Sequence, residues 1–157
     1  MQSKLPKNKS AIASAESKIM VFGTFDIVHE GHKHFFKQAR NLADKASIKQ
    51  TPFLIVSVAR DKNVLKIKSR PVRNTEKKRL LAVAKTEGVN KAVLGGVNNY
   101  IKHIIKENPD IIALGYDQVA YVENLRQDLK LAGLKTKIVR LKAHKPKQYK
   151  TSLIKPR

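Results

Sequence analysis

The chain has 157 residues, with 33 Lys+Arg against 12 Asp+Glu, a net charge of +21 and no cysteine. That length suits one domain with one core. The lack of cysteine excludes disulfides, thiolate metal sites and cysteine nucleophiles. No run is long and apolar enough to span a membrane, and the positive charge favours anionic partners: nucleoside triphosphates, phosphorylated acceptors or nucleic acid.

Residues 1–17 are polar and lysine-rich, with no apolar period, and read as a flexible basic arm ahead of a domain over 18–157. They lack the apolar core of a signal peptide, so a cytoplasmic protein is expected. Lys18 to Phe22 reads as a short buried strand. Gly23-Thr24-Phe25-Asp26-Ile27-Val28-His29-Glu30-Gly31-His32 follows it, and Phe35, Phe36, Ala39 and Leu42 then recur at helical spacing, predicting a helix from Gly31 to Ala46. Two imidazoles thus flank a glycine at a strand–loop–helix junction. Free backbone N–H groups and the positive dipole end of a helix favour a phosphate there. Gly31 would let a nucleotide approach the backbone closely.

Pro52 to Ala59 is a continuous β-rich run, the mark of a strand covered on both faces. Arg60 to Arg73 reads as a loop dense in basic residues, after which Asn74 or Thr75 caps a helix from Glu76 to Thr86. Lys91 to Leu94 is a third strand, ended by Gly95-Gly96, and Tyr100 to Glu107 a helix stopped by Asn108-Pro109. Asp110 to Leu114 is a fourth strand, Val122 to Leu131 a helix closed by Gly133, and Thr136 to Leu141 a fifth strand before a basic loop. Strands and helices alternate throughout. The expected fold class is α/β: a single doubly wound Rossmann-like domain on a five-stranded parallel sheet, with a ligand crevice at the strand carboxyl ends. Each of the singled-out segments falls at or downstream of such an end.

The run G-T-F-D-x-x-H-x-G-H resembles the H-x-G-H signature of the nucleotidyltransferase (cytidylyltransferase-like) superfamily. The resemblance implies that His29 and His32 hold phosphate oxygens in catalysis, with Gly23, Thr24, Phe25 and Gly31 against the nucleotide. It implies a lysine after strand two that reaches the triphosphate, either Lys66 or Lys68. Glu76-Lys77-Lys78-Arg79 is similar to the family's E-E-Q-R segment, so Arg79 would bind phosphate or support the loop. Leu114-Gly115-Tyr116-Asp117-Gln118 resembles the L-G-Y-D-Q run of archaeal-type FAD synthetases, placing Gly115 and Asp117 at base, ribose or metal. Tyr149 to Lys155 is similar to the I-S-S-T-x-I-R segment; Thr151 and Ser152 supply hydroxyls and Lys155 stands for the arginine, keeping the charge but losing the bidentate fork. His34 reads as surface or support, and His103 and His144 lack a motif context.

What the resemblance implies is transfer of a nucleoside monophosphate to a phosphorylated acceptor with release of pyrophosphate. A divalent cation, Mg2+ or another, would bridge phosphate oxygens with few protein ligands. Related cytidylyltransferases carry R-Y-V-D before strand three, which helps read cytosine; Glu87-Gly88-Val89-Asn90 stands here, favouring ATP over CTP. With L-G-Y-D-Q, the expected acceptor is FMN and the product FAD. The alternatives are glycerol-3-phosphate cytidylyltransferase, or an adenylyltransferase for pantetheine phosphate or a sugar phosphate. A basic nucleic-acid-binding module with a degenerate site is the alternative of another class, and non-specific nucleic-acid association fits the charge. The family implies a homodimer in many members.

Overall fold

Ile19, Val21, Leu54 and Val56 pack on one face of the central sheet, whereas Met20 and Ile55 between them pack on the other. This period of two within uninterrupted apolar runs is what a strand buried on both sides requires. The computed structural model describes residues 16–45, 50–118 and 122–142. Five strands, β1 (Glu16–Gly23), β2 (Thr51–Val58), β3 (Lys91–Leu94), β4 (Ile111–Leu114) and β5 (Lys137–Arg140), form one parallel sheet in the order β3-β2-β1-β4-β5. The helices are α1 (Glu30–Asn41, continued by a 3-10 turn, Leu42–Lys45), α2 (Asp61–Lys68), α3 (Glu76–Ala84), α4 (Tyr100–Glu107) and α5 (Val122–Leu131). Phe36 and Ala39 of α1 and Val83 of α3 cover one face; Ile104 of α4 and Leu125 and Leu129 of α5 cover the other. The expected doubly wound α/β fold is therefore present.

The chain leaves β1 for β2 and β3 on one side, then returns to β4 and β5 on the other. β1 and β4 are thus neighbours at a topological switch point, where successive crossovers depart to opposite faces and a crevice opens. The opening is visible in the ladder. β1 pairs with β2 from Glu16↔Thr51 to Gly23↔Val58, but with β4 only at Ile19↔Ile111 and Met20↔Ile112. Beyond Met20 the two strands part.

Besides shifts of one or two residues at other element ends, three departures from the sequence pattern stand out. β1 begins at Glu16, inside the segment expected to be arm, and α1 ends at Asn41 rather than Ala46. The basic stretch expected as a loop from Arg60 to Arg73 contains α2, whose buried residue is Val64. Its start is fixed from a distance. Glu76 Oε1 accepts the Asp61 N–H at 2.9 Å, and Asp61 Oδ2 accepts the Glu76 N–H at 3.2 Å, so each carboxylate caps the other's helix. Ser69, left-handed at φ 56°, ends α2. Of the two expected caps for α3, Thr75 serves, its hydroxyl accepting the Lys78 N–H.

The Glu87–Asn90 segment lies at the amino end of β3, and a polar clip holds it. Arg40 Nη1 donates to the Gly88 carbonyl at 2.8 Å and to Asn90 Oδ1 at 2.6 Å, and Asn90 Oδ1 also accepts the Leu54 N–H at 2.8 Å. Asn90→Ala leaves the Leu54 N–H without this partner and should cost on the order of 1–3 kcal/mol in urea unfolding.

Candidate active site

The strand parting between β1 and β4 opens into a cleft of about 820 Å³ at the carboxyl edge of the sheet. That lies in the upper part of the range typical of small-molecule sites, roughly 300–1,000 Å³. Gly23, Thr24, Phe25, Asp26, His29, Gly31 and His32 supply one wall, and Gly115, Tyr116, Asp117 and Gln118 the opposite one. Lys68, Arg70, Arg73 and Lys142 give it a cationic rim.

His29 and His32 form a capping box at α1. His29 is the N-cap; its Nδ1 accepts the Gly31 N–H at 3.1 Å, and His32 Nδ1 accepts the His29 N–H at 3.2 Å. The rings stack, with centroids 3.8 Å apart and planes 20° from parallel. Because its Nδ1 accepts the Gly31 N–H, the ring proton of a neutral His29 sits on Nε2, whereas the His32 ring also meets the Ile27 carbonyl. Burial lowers the His29 pKa against the opposing pull of Glu30. Burial first, then neighbouring His29, lowers that of His32 to about 3, although the Ile27 carbonyl works the other way. Near neutral pH the pair is uncharged. The N–H groups of Gly31, His32 and Lys33 all have partners within the turn, the last two on the His29 carbonyl. The helix end therefore offers its dipole and two imidazoles, not the row of free amides that the sequence suggested.

Phe25 sets the shape of this wall. It adopts the left-handed region at φ 53° and is 4% exposed, a backbone cost of ~1–3 kcal/mol for a non-glycine residue. Its ring packs edge-on to His32, centroids 5.2 Å apart, and against Phe36 at 5.4 Å. A Cβ on Gly23 would lie 2.6 Å from Phe25 Cζ, so glycine here makes room for that ring. Phe25 thus supports His32 from beneath. Asp26 braces the loop: Oδ2 accepts the Arg73 N–H and Oδ1 the Asn74 N–H, both at 2.8 Å.

Helical geometry separates Lys66 from Lys68. The two are two residues apart on α2, hence on different sides of it, and Lys68 lines the cleft while Lys66 does not. Burial, then Arg70, lowers the Lys68 pKa, with Asp26 and Asp117 opposing. Arg79, expected either at phosphate or in support of the loop, is 1% exposed and not part of the cleft lining, which corrects the phosphate role. Nη1 donates to the Thr24 and Ala59 carbonyls at 2.8 Å, Nε to the Asn74 carbonyl at 3.1 Å, and Nη2 to Asp61 at 2.6 Å. It supports the loop, the other role its motif allowed. Glu87–Asn90, whose departure from R-Y-V-D favoured ATP over CTP, sits at the amino end of β3 and is not part of the cleft lining. Thr151, Ser152 and Lys155 lie outside the described residues. His103 pairs with Ser57, Nε2 to Oγ 2.8 Å, and does not line the cleft.

Arg70, Arg73, Lys142 and Gln118 were not singled out from sequence. Their signal was position: Lys142 lies two residues past the β5 end, and Gln118 closes the L-G-Y-D-Q run. Among the described residues no group of three His, Asp or Glu could cage a metal. Asp26 and Asp117 are the two carboxylates of the cleft lining, and the two oxygens of Asp26 accept the Asn74 and Arg73 N–H groups. A Mg2+ ion held mainly by phosphate oxygens and water fits this donor set, since it needs only one or two protein carboxylates.

A doubly wound sheet with a histidine- and lysine-lined cleft at its switch point defines a phosphate-binding α/β domain. The chain belongs to the cytidylyltransferase-like family, whose profile matches residues 20–157. It is 40% identical over 135 residues to the FAD synthase of Archaeoglobus profundus, covering 86% of this chain and 81% of that one. It is 43% identical over 124 residues to the FAD synthase of Korarchaeum cryptofilum, covering 79% and 80%. A crystal structure of the lipopolysaccharide core biosynthesis protein from Thermoplasma volcanium superposes with a TM-score of 0.72 at 33% identity, over 82% of this chain and 98% of that one.

Two stability effects follow. Arg79→Leu strands three carbonyls and one carboxylate oxygen and should cost on the order of 3 kcal/mol in urea unfolding. His32 takes up a proton in the unfolded chain near the ordinary 6.5, and in the folded chain only near about 3. Between these values the unfolded chain holds more protons, so stability falls as pH drops through that window and levels off below it. His32→Asn keeps an acceptor for the His29 N–H and should flatten that acid loss in unfolding curves taken between about pH 7 and pH 4.

Proposed function

We propose that this chain is an FMN adenylyltransferase, converting ATP and FMN to FAD and pyrophosphate. The observation that carries the chemistry is the stacked His29–His32 pair, each Nδ1 turned to a backbone N–H of its own turn, set with Lys68 in one cleft. The FAD synthase relatives supply the acceptor and the nucleotide.

An FMN phosphate oxygen attacks the α-phosphorus of ATP in line. The new P–O bond forms as the bond to the α–β bridging oxygen breaks, and that electron pair leaves on pyrophosphate. No protein nucleophile takes part. The work of the protein is positioning, and stabilising negative charge as it shifts to the leaving oxygens. His29 and His32 donate Nε2–H to α- and β-phosphate oxygens. As neutral donors in a sheltered site, they add hydrogen bonds without a competing acidic proton. Lys68 sits beside them, and Arg70, Arg73 and Lys142 draw two polyanionic substrates into one cleft. Thr151, Ser152 and Lys155 complete the triphosphate contacts in this reading. Mg2+, with Asp117 as its cleft carboxylate, would neutralise phosphate charge when bound.

Two measurements test this. His29→Asn keeps a good N-cap and should leave stability within ~0.5 kcal/mol, yet lower kcat/KM by about a hundredfold or more through loss of the Nε2–H donor. Near-normal turnover would remove the imidazoles from the mechanism. Pyrophosphate release is then followed with ATP or CTP against FMN, glycerol 3-phosphate and pantetheine phosphate. Release with ATP and FMN alone is expected. Release with CTP and glycerol 3-phosphate would overturn the assignment, and silence with folded protein would turn attention to nucleic-acid binding.

A further inference from the structure

The parting of β1 and β4 leaves main-chain polar groups at the crevice without ladder partners, and one side chain spans the gap. Gln118 Nε2 donates to the Phe22 carbonyl of β1 at 2.8 Å, and its Oε1 accepts the Gly115 N–H just past β4 at 2.7 Å. Both lie beyond Met20↔Ile112, the last register pair of the two strands. The same turn is closed by the Gln118 N–H on the Gly115 carbonyl. From the β5 side, Arg140 Nη1 donates to the Gly115 and Gln118 carbonyls at 2.8 and 2.9 Å. Tyr116 and Asp117, which line the cleft, are therefore carried on a turn that the Gln118 amide ties to β1.

We propose that Gln118 is a positioning residue: its amide bridges the splayed ends of β1 and β4 and sets the width of the cleft, and thereby the affinity for ATP. The assignment rests on the adenylyltransferase reading for its ligand. Only a primary amide of this length meets both partners, because the Phe22 carbonyl demands a donor and the Gly115 N–H an acceptor. A carboxylate of the same shape satisfies Gly115 and sets oxygen against oxygen at Phe22. Protonated, that carboxyl group regains a donor. The effect acts through placement of the turn and the loop after β1, so it belongs in binding and not in the chemical step.

The test compares wild type, Gln118→Glu and Gln118→Met by ATP titration calorimetry and by FMN-dependent pyrophosphate release, at about pH 8 and about pH 6. Gln118→Glu should raise Kd and KM for ATP by roughly tenfold at both pH values, where an ordinary glutamate is ionised, with kcat little changed. Gln118→Met, which loses both bonds and carries no charge, should show a raised KM at both values. It also replaces Gln118→Glu if that variant fails to fold. Wild-type KM in either folded variant, or a fall in kcat with KM unchanged, would overturn the clamp. Wild type that binds ATP but does not adenylate FMN would overturn the functional reading while leaving the clamp to be judged by Kd. Wild type that neither binds nor turns over ATP would overturn both.

Discussion

Everything at this site depends on where the pairing of β1 with β4 stops. Two register pairs join them, Ile19↔Ile111 and Met20↔Ile112, and beyond these the strands separate toward opposite crossovers. Separation yields a crevice, but it also strips ladder hydrogen bonds from the backbone at its edge, and buried polar groups must be satisfied elsewhere. Side chains take over that task. Gln118 joins the turn after β4 to β1, Asp26 joins the loop after β1 to the segment before α3, and Arg79 binds the carbonyls of Thr24 and Ala59. The cleft wall is thus held by polar bonds where the sheet no longer holds it.

The histidine pair shows how one motif serves folding and chemistry together. Each imidazole uses Nδ1 to cap α1, the task usually given to Ser, Asp or Asn. A carboxylate cap would bring negative charge to a site meant for phosphate, and a hydroxyl would leave no second polar atom for the ligand. Imidazole has two nitrogens at opposite parts of a rigid ring, so one can cap while the other donates. Burial lowers both pKa values, with the neighbouring His29 adding to the shift at His32, and the rings stack on one another. Phe25, at positive φ over Gly23, holds His32 in that orientation.

Local pattern was enough for the five strands, four of the five helices, and the junction that carries His29 and His32. Apolar period and capping chemistry are short-range, so they are written in adjacent residues. What was not legible has long-range causes. α2 lies in a charged stretch with one buried residue, Val64, and its N-terminus is capped by Glu76 from outside the segment. Arg79 reads as a phosphate ligand because its motif and charge suggest one; only the fold shows four acceptors already around it. Lys66 and Lys68 were equal until α2 set them on different sides. Glu87–Asn90 entered the reading only through the R-Y-V-D residues it lacks, and in-register pairing of Lys91 with Ile55 sets it at the amino end of β3.

The most direct measurement is a long-range nitrogen–proton correlation NMR spectrum of the histidine side chains, near neutral pH, without and with ATP. If the pair acts as neutral donors, His29 and His32 will show the Nε2–H tautomer, with Nδ1 unprotonated, and ATP will shift their Nε2 signals. Protonated rings, an Nδ1–H tautomer, or Nε2 signals indifferent to ATP would contradict the assignment of this cleft as a phosphate site read by two imidazoles.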